Sequence, residues 1–169
     1  MKIAFGYNMR VGKDTAVEYL INKLNGKRIS FSEPLYDILH YAQNKCNFSI
    51  QKDRQFLQYV GTEWARKIDP NVWINIALKN TYNTDENLFI SDLRFPNEFE
   101  ALKQNGWICV KITRPNNNNI SEEHPNHISE KALNNILDEK WDFVINNDTN
   151  LIDFYKKLDV LINNILESK

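Results

Sequence analysis

Gly6-Tyr7-Asn8-Met9-Arg10-Val11-Gly12-Lys13-Asp14-Thr15 follows the apolar run Ile3-Ala4-Phe5 and precedes a helical pattern. A strand that turns through a glycine-containing loop into a helix aims several backbone N–H groups at one point, where the helix N-terminus adds partial positive charge. Lys13 supplies a full charge, so the stretch reads as a phosphate-binding loop. The usual spacing is Gly, four residues, then Gly-Lys-Ser/Thr. Here five residues separate Gly6 from Gly12, Tyr7 takes the usual first-glycine position, and the loop is one residue longer. Position 14 is Asp, which leaves Thr15 as the hydroxyl candidate for Mg²⁺.

The 169 residues carry a net charge of −1, with 42% hydrophobic and 12% aromatic residues. Such content argues against disorder and suffices for one domain with a single buried core. A charge so near zero gives no global attraction to nucleic acid or anionic membrane, so an anionic ligand must be caught locally. No apolar run approaches a membrane-spanning length, and Met1-Lys2-Ile3 enters the first strand directly, from which a cytoplasmic location is expected. Cys46 and Cys109 fall in a helical and a strand pattern without metal-ligand spacing, so both are expected to be buried free thiols.

Downstream of the loop, Val17, Leu20, Ile21 and Leu24 recur at helical spacing up to Gly26, with a capping box expected at Thr15-Ala16-Val17-Glu18. Residues 28–31 read as a second strand, and Ser32-Glu33-Pro34 opens a helix carrying Leu35, Ile38, Leu39 and Ala42. From Asp53 two rows repeat every four residues: Phe56, Val60, Trp64, Ile68, and Arg54, Gln58, Thr62, Arg66. An offset of two residues is about 200° around a helix, so the first row is expected to pack on the core and the second to present polar groups. Gly61 inside that helix costs about 1 kcal/mol relative to Ala, a cost that close approach of a ligand or backbone would explain. A helix after Asp69-Pro70, strands at 88–92, 107–113 and 143–145, a short helix from Pro96 to Gly106 and a closing helix Leu151–Glu167 complete the pattern. The polar stretch to Glu130, with Pro115 and four asparagines at 116–119, suits a surface flap. His124 and His127, beside Glu122, Glu123 and Glu130, supply too few His and Cys for structural zinc.

Five strands alternating with helices imply a parallel sheet covered on both faces, with ligands at the carboxyl ends of the strands. That rule gathers the loop, Asp92, Arg114 and Asn147-Asp148 along one edge. Asp92-Leu93-Arg94 sets a carboxylate suited to Mg²⁺-bound water beside a guanidinium suited to phosphate; the plain alternative is that Asp92 caps the Pro96 helix. Arg54, Arg66, Arg94 and Arg114 offer forks that match phosphate oxygens, with Arg10 a weaker fifth. Trp64 or Tyr36 would edge a base pocket, although the four tryptophans are spaced mostly as core. No glycine-flanked Ser elbow and no Asn-Lys-x-Asp guanine-reading motif is present.

Several strings together resemble a known family: Gly-Lys-Asp-Thr at 12–15, Phe31-Ser32-Glu33-Pro34-Leu35, Arg54-Gln55-Phe56-Leu57-Gln58 running on to Gly61-Thr62-Glu63, and His127-Ile128-Ser129-Glu130. The most specific is Asp92-Leu93-Arg94-Phe95-Pro96-Asn97-Glu98. The chain resembles the deoxynucleoside monophosphate kinases of phage and viral type, within the wider group of nucleoside monophosphate and dephospho-CoA kinases. The resemblance implies an α/β fold, a three-layer α/β/α P-loop kinase domain over residues 1–169 with a five-stranded parallel sheet of order 2-3-1-4-5. It implies a monophosphate-binding helical region at about 33–82 and a lid-like flap at about 114–130. It also implies transfer of the γ-phosphoryl group of ATP, with Mg²⁺, to a (deoxy)nucleoside 5′-monophosphate in the cytoplasm (of the host, if viral), without nucleic acid or membrane; a homodimer stays open.

On that reading Gly12, Lys13, Asp14, Thr15 and Arg10 would hold ATP, and Thr15 with Asp14 or Asp92 would position Mg²⁺. Arg54, Arg66 and Arg94 would clamp the acceptor phosphate, with Gln58, Thr62, Glu63 and Trp64 near its sugar or base. Arg114 would neutralise the transferring group and Asn147-Asp148 would line the adenine, so that Lys13, Asp92, Arg94 and Arg114 form the catalytic set. A phosphate acceptor, with a second pKa of about 6, needs no general base. Two alternatives stand beside it. A small-molecule kinase like dephospho-CoA kinase would phosphorylate a hydroxyl and need Asp14 or Asp92 as base, and a nucleotide-binding module would show no turnover.

Overall fold

Ile3, Ala4 and Phe5 are wholly buried in β1 (Lys2–Gly6), the middle strand of a five-stranded sheet. A strand covered on both faces reads as a continuous apolar run, which is what this segment shows. The computed structural model describes residues 1–79, 81, 84–115 and 132–168. They fall into two units, one built from 1–29 and 85–169 and the other from 30–84.

The first unit holds the sheet. Its other strands are β2 (Lys27–Arg28), β3 (Leu88–Leu93), β4 (Ile108–Thr113) and β5 (Phe143–Asn146), all parallel, in the expected order β2-β3-β1-β4-β5. β1 leads into α1 (Lys13–Leu24), and the chain closes with a 17-residue helix (Leu151–Glu167). Ala16, Val17 and Leu20 of α1 share one core cluster with Phe154, Leu158, Leu161, Ile162 and Ile165 of that helix and with Ile3, Phe5, Val110 and Ile112 of the sheet. Each large apolar side chain so buried is worth about 1.5–3 kcal/mol. The alternate strand residues Ala4, Ile90 and Cys109 are buried outside this cluster, as are Phe99 and Leu102 of the helix Pro96–Gln104 and Trp141, which meets Phe99 edge-on at 4.9 Å. Both faces of the sheet are therefore covered.

The second unit is helical: α2 (Glu33–Lys45), α3 (Arg54–Gln58), a π-helical stretch Tyr59–Trp64, α4 (Ala65–Ile68) and α5 (Val72–Leu78). With α6 for Pro96–Gln104 and α7 for Leu151–Glu167, the described α-helices number seven. Asp53 caps α3 by accepting from the Phe56 N–H at 2.9 Å. The π-stretch corrects the expected inward row. An inserted residue rotates the helix, so Val60, Gly61 and Ala65 are buried while Trp64 is 50% and Ile68 73% exposed. Close packing accounts for Gly61, where an added Cβ would sit 3.0 Å from Leu35; its carbonyl accepts from the Trp73 indole at 2.9 Å.

Other expectations shift at element ends. α1 begins at Lys13, so Thr15 lies within its first turn and the Thr15 capping box does not form. β2 is two residues long and β3 extends through Asp92 to Leu93. Cys46, just past the last turn of α2, is exposed rather than buried. The expected flap beyond Pro115, with His124, His127 and the glutamates at 122, 123 and 130, lies outside the described residues. Among the described residues no helix is long and apolar enough to cross a membrane.

Burial, with Asp142 nearby, pushes the Cys109 thiol up to about 12, and thiolate is the reactive form. A thiol reagent is expected to modify Cys46 in the native protein and Cys109 only after denaturation, as counted by mass. Two modified thiols under native conditions would contradict this packing.

Candidate active site

Between β1 and α1 the backbone turns left-handed at Tyr7 (φ +94), Arg10 (φ +59) and Gly12 (φ +104). Alternating hands in a short loop turn successive N–H groups into one concavity that suits an anion. A non-glycine residue in this conformation costs of order 1–3 kcal/mol, so the loop is held from outside. At its entry an added Cβ on Gly6 would lie 2.7 Å from the Trp141 ring. At its exit Asn147, 7% exposed, donates from Nδ2 to the Val11 carbonyl at 2.9 Å, and a Cβ on Gly12 would meet that nitrogen at 2.7 Å. Lys13 is 8% exposed, and its Nζ donates to the carbonyls of Tyr7, at 3.1 Å, and of Asn8.

Above the loop opens a cleft of about 340 Å³, within the size range of small-ligand sites. It is lined by the loop and first-turn residues Arg10, Gly12, Lys13, Asp14 and Thr15, by Arg114 after β4, and by Asn147, Thr149, Leu151 and Phe154. Three cations against one carboxylate, at the N-terminus of a 12-residue helix, give the cleft electrostatics that suit an anion. Arg114 directly follows β4, and Asn147 directly follows β5, as strand-end geometry requires.

Asp14 is tied to the sheet. It accepts from Ser91 Oγ at 2.7 Å and from Arg28 Nη1 at 2.8 Å, and the same Nη1 reaches Ser91 Oγ at 3.0 Å. A register shift sets Ser91 there: between Ala4↔Ile90 and Gly6↔Leu93, two steps of β1 face three of β3. Partial burial alone would raise the Asp14 pKa, but the Ser91 and Arg28 contacts outweigh it and hold the carboxyl below its ordinary value. The sequence singles out neither Arg28 nor Ser91: it reads Arg28 as opening a strand over 28–31, whereas β2 ends there.

Asp92 is half-buried within β3. It is Glu98, 1% exposed, that caps α6, accepting from the N–H groups of Arg94 at 2.8 Å and Phe95 at 2.9 Å. Arg94 is half-buried. Asp148 is not among the cleft residues; it pairs with Lys157 at 2.6 Å, and that hydrogen bond holds its carboxyl below the ordinary range. In the helical unit Arg54, Gln58, Thr62 and Arg66 are half-buried, Glu63 and Trp64 are exposed, and Arg66 Nη1 donates to the Pro70 carbonyl at 3.3 Å. Among the described residues no three His, Cys, Asp or Glu side chains group as a metal cage. Mg²⁺ needs none, since it binds through one or two carboxylates, waters and substrate phosphates; the Thr15 hydroxyl and the Asp92 carboxylate have the right chemistry.

The parallel sheet of order 2-3-1-4-5, helices on both faces and the concave loop between β1 and α1 define a P-loop kinase fold. The shikimate kinase of Aquifex aeolicus VF5 shares it, with a TM-score of 0.58 at 15% identity over 100% of both chains. More particularly, the chain belongs to the deoxynucleotide monophosphate kinase family, whose profile matches residues 43–158. It is 34% identical over 145 residues to the uncharacterized protein ORF77 of ictalurid herpesvirus 1, covering 80% of this chain and 60% of that protein. The match thus spans less than two thirds of that relative. It is 26% identical over 185 aligned residues to the "Putative deoxynucleotide monophosphate kinase" of Acanthamoeba polyphaga mimivirus, covering 90% of this chain and 91% of that one.

A depressed carboxyl pKa stabilises the fold above the ordinary value, and the gain is lost as pH falls through the lowered one. Asp14→Asn is therefore expected to destabilise the protein at pH 7, by no more than about 1 kcal/mol because the side chain is 76% exposed. The difference from wild type should close in the acid range, as read from denaturant midpoints. A gap that is the same at pH 3 and pH 7 would contradict the ion pair.

Proposed function

We propose that this chain transfers the γ-phosphoryl group of ATP to a deoxynucleoside 5′-monophosphate, giving ADP and the diphosphate. The observation that carries the reading is the cationic cleft over the β1–α1 loop in a member of this family. Phosphoryl transfer is mostly positioning and charge neutralisation. The loop amides, Lys13 and Arg10 would bind the β- and γ-phosphates, and Arg114 would offset charge spread over the transferring group. Thr149, Leu151 and Phe154, which also line the cleft, would take the nucleoside of ATP, with Asn147 holding the loop. Mg²⁺, held through Thr15 and Asp92, would neutralise phosphate charge. Arg54, Arg66 and Arg94 would clamp the acceptor phosphate, with Gln58, Thr62, Glu63 and Trp64 toward its sugar and base.

A hydroxyl acceptor is less well supported. Asp14, the carboxylate among the cleft residues, is engaged by Arg28 and Ser91, and the pKa they hold below its ordinary value makes it a weaker base.

Purified protein is to be incubated with ATP, Mg²⁺ and a panel of deoxynucleoside monophosphates, nucleoside monophosphates and dephospho-CoA. Deoxynucleoside diphosphate is the expected product; phosphorylation of a hydroxyl, or ATP binding without any product, would overturn the reading. Lys13→Ala should lower kcat by about 10²–10³, as for loss of a preorganised donor at a developing charge. Arg66→Ala should raise the KM for the monophosphate by about 10–100-fold, the worth of one charge-assisted hydrogen bond, and leave that for ATP nearly unchanged. The reverse pattern would move Arg66 to the ATP side.

A further inference from the structure

Tyr7 stands at φ +94 where shorter phosphate loops have glycine, and its ring is the one part of it that glycine could not supply. The Lys111 ammonium lies 3.9 Å from the centroid of that ring, well inside cation–π range. Lys111 is a lysine where lysine is rare: on β4, 7% exposed, paired in register with Gly6. Its Nζ also pairs at 2.6 Å with Asp138, from the 3₁₀ turn Asp138–Lys140. The same stretch of chain ends at Trp141, which packs on Gly6. The Tyr7 backbone in turn holds Lys13, whose Nζ donates to the carbonyls of Tyr7 and Asn8. The contacts form a chain from Asp138 through Lys111 to the Tyr7 ring, and from the Tyr7 carbonyl to Lys13.

We propose that Lys111 is a positioning residue of the phosphate loop. Its buried ammonium fixes the Tyr7 ring, which keeps the backbone at Tyr7 in the left-handed conformation that presents Lys13 and the loop amides to a triphosphate. The inference rests on the loop being the ATP site. The role is selective: it concerns ATP, not the monophosphate acceptor. It is also specific to a cation–π partner, because arginine would serve at 111 and phenylalanine at 7.

The test is direct titration of ATP into the protein by calorimetry, alongside steady-state kinetics and thermal melts. Lys111→Met is expected to weaken ATP binding about tenfold, the worth of a partly desolvated cation–π contact, and to raise the KM for ATP while leaving that for the monophosphate unchanged. Lys111→Arg and Tyr7→Phe should bind ATP within about twofold of wild type. Tyr7→Leu should reproduce Lys111→Met, and the double variant should be no weaker than either single one, because both remove one contact. Tyr7→Leu with Lys111→Arg carries the test if Lys111→Met does not fold. Variants that melt earlier but bind ATP as wild type does would overturn the proposal and leave Lys111 a purely structural ion pair. A wild-type protein that fails to bind ATP would instead overturn the proposed function, and this inference with it.

Discussion

Three left-handed residues within six, two of them not glycine, are not a course that an L-peptide keeps unaided. The structure around the β1–α1 loop is arranged to keep it. Asn147 binds Val11 from the end of β5, Trp141 packs on Gly6 from the turn before β5, and Lys13 folds its ammonium over the carbonyls of Tyr7 and Asn8. Strands β1, β4 and β5 lie side by side, so their ends and connections reach the loop without long excursions.

Such stored strain has a chemical use. Donors that already point at an anion need not reorganise when charge develops, and in a cleft that restricts water each is worth more than in bulk solvent. The same economy applies to Asp14. Being ionised and paired with Arg28 and Ser91, it fixes the first turn of α1 to β2 and β3, so helix and sheet meet the loop at a set angle.

The strands, the loop and the closing helix were legible because each is written in local periodicity: a continuous apolar run, a glycine-bounded turn, and an i, i+3, i+4 stripe that matches Leu151–Glu167, whereas the order of the strands came only with the family resemblance. Cleft residues at strand ends, Arg114 and Asn147 among them, followed from the rule for parallel sheets. What was not legible depends on partners distant in sequence. Asn147 reaches a carbonyl 136 positions away and Ser91 a carboxylate 77 positions away, and a lone basic residue such as Arg28 or Lys111 gives no sign of its partner. The outward turn of Trp64 and Ile68 was hidden for another reason. A π-stretch preserves helical composition while shifting its phase, so a four-residue repeat pointed to the wrong face.

On the function proposed above, the backbone between residues 7 and 15 is the phosphate cradle. Its most direct test is the backbone amide NMR spectrum during titration with a non-hydrolysable ATP analogue and Mg²⁺. A cradle there puts the largest shifts on the N–H groups from Asn8 to Thr15, with smaller ones at Asn147 and Thr149. Shifts elsewhere, with the amides of Gly12, Lys13 and Asp14 unmoved at saturation, would contradict it.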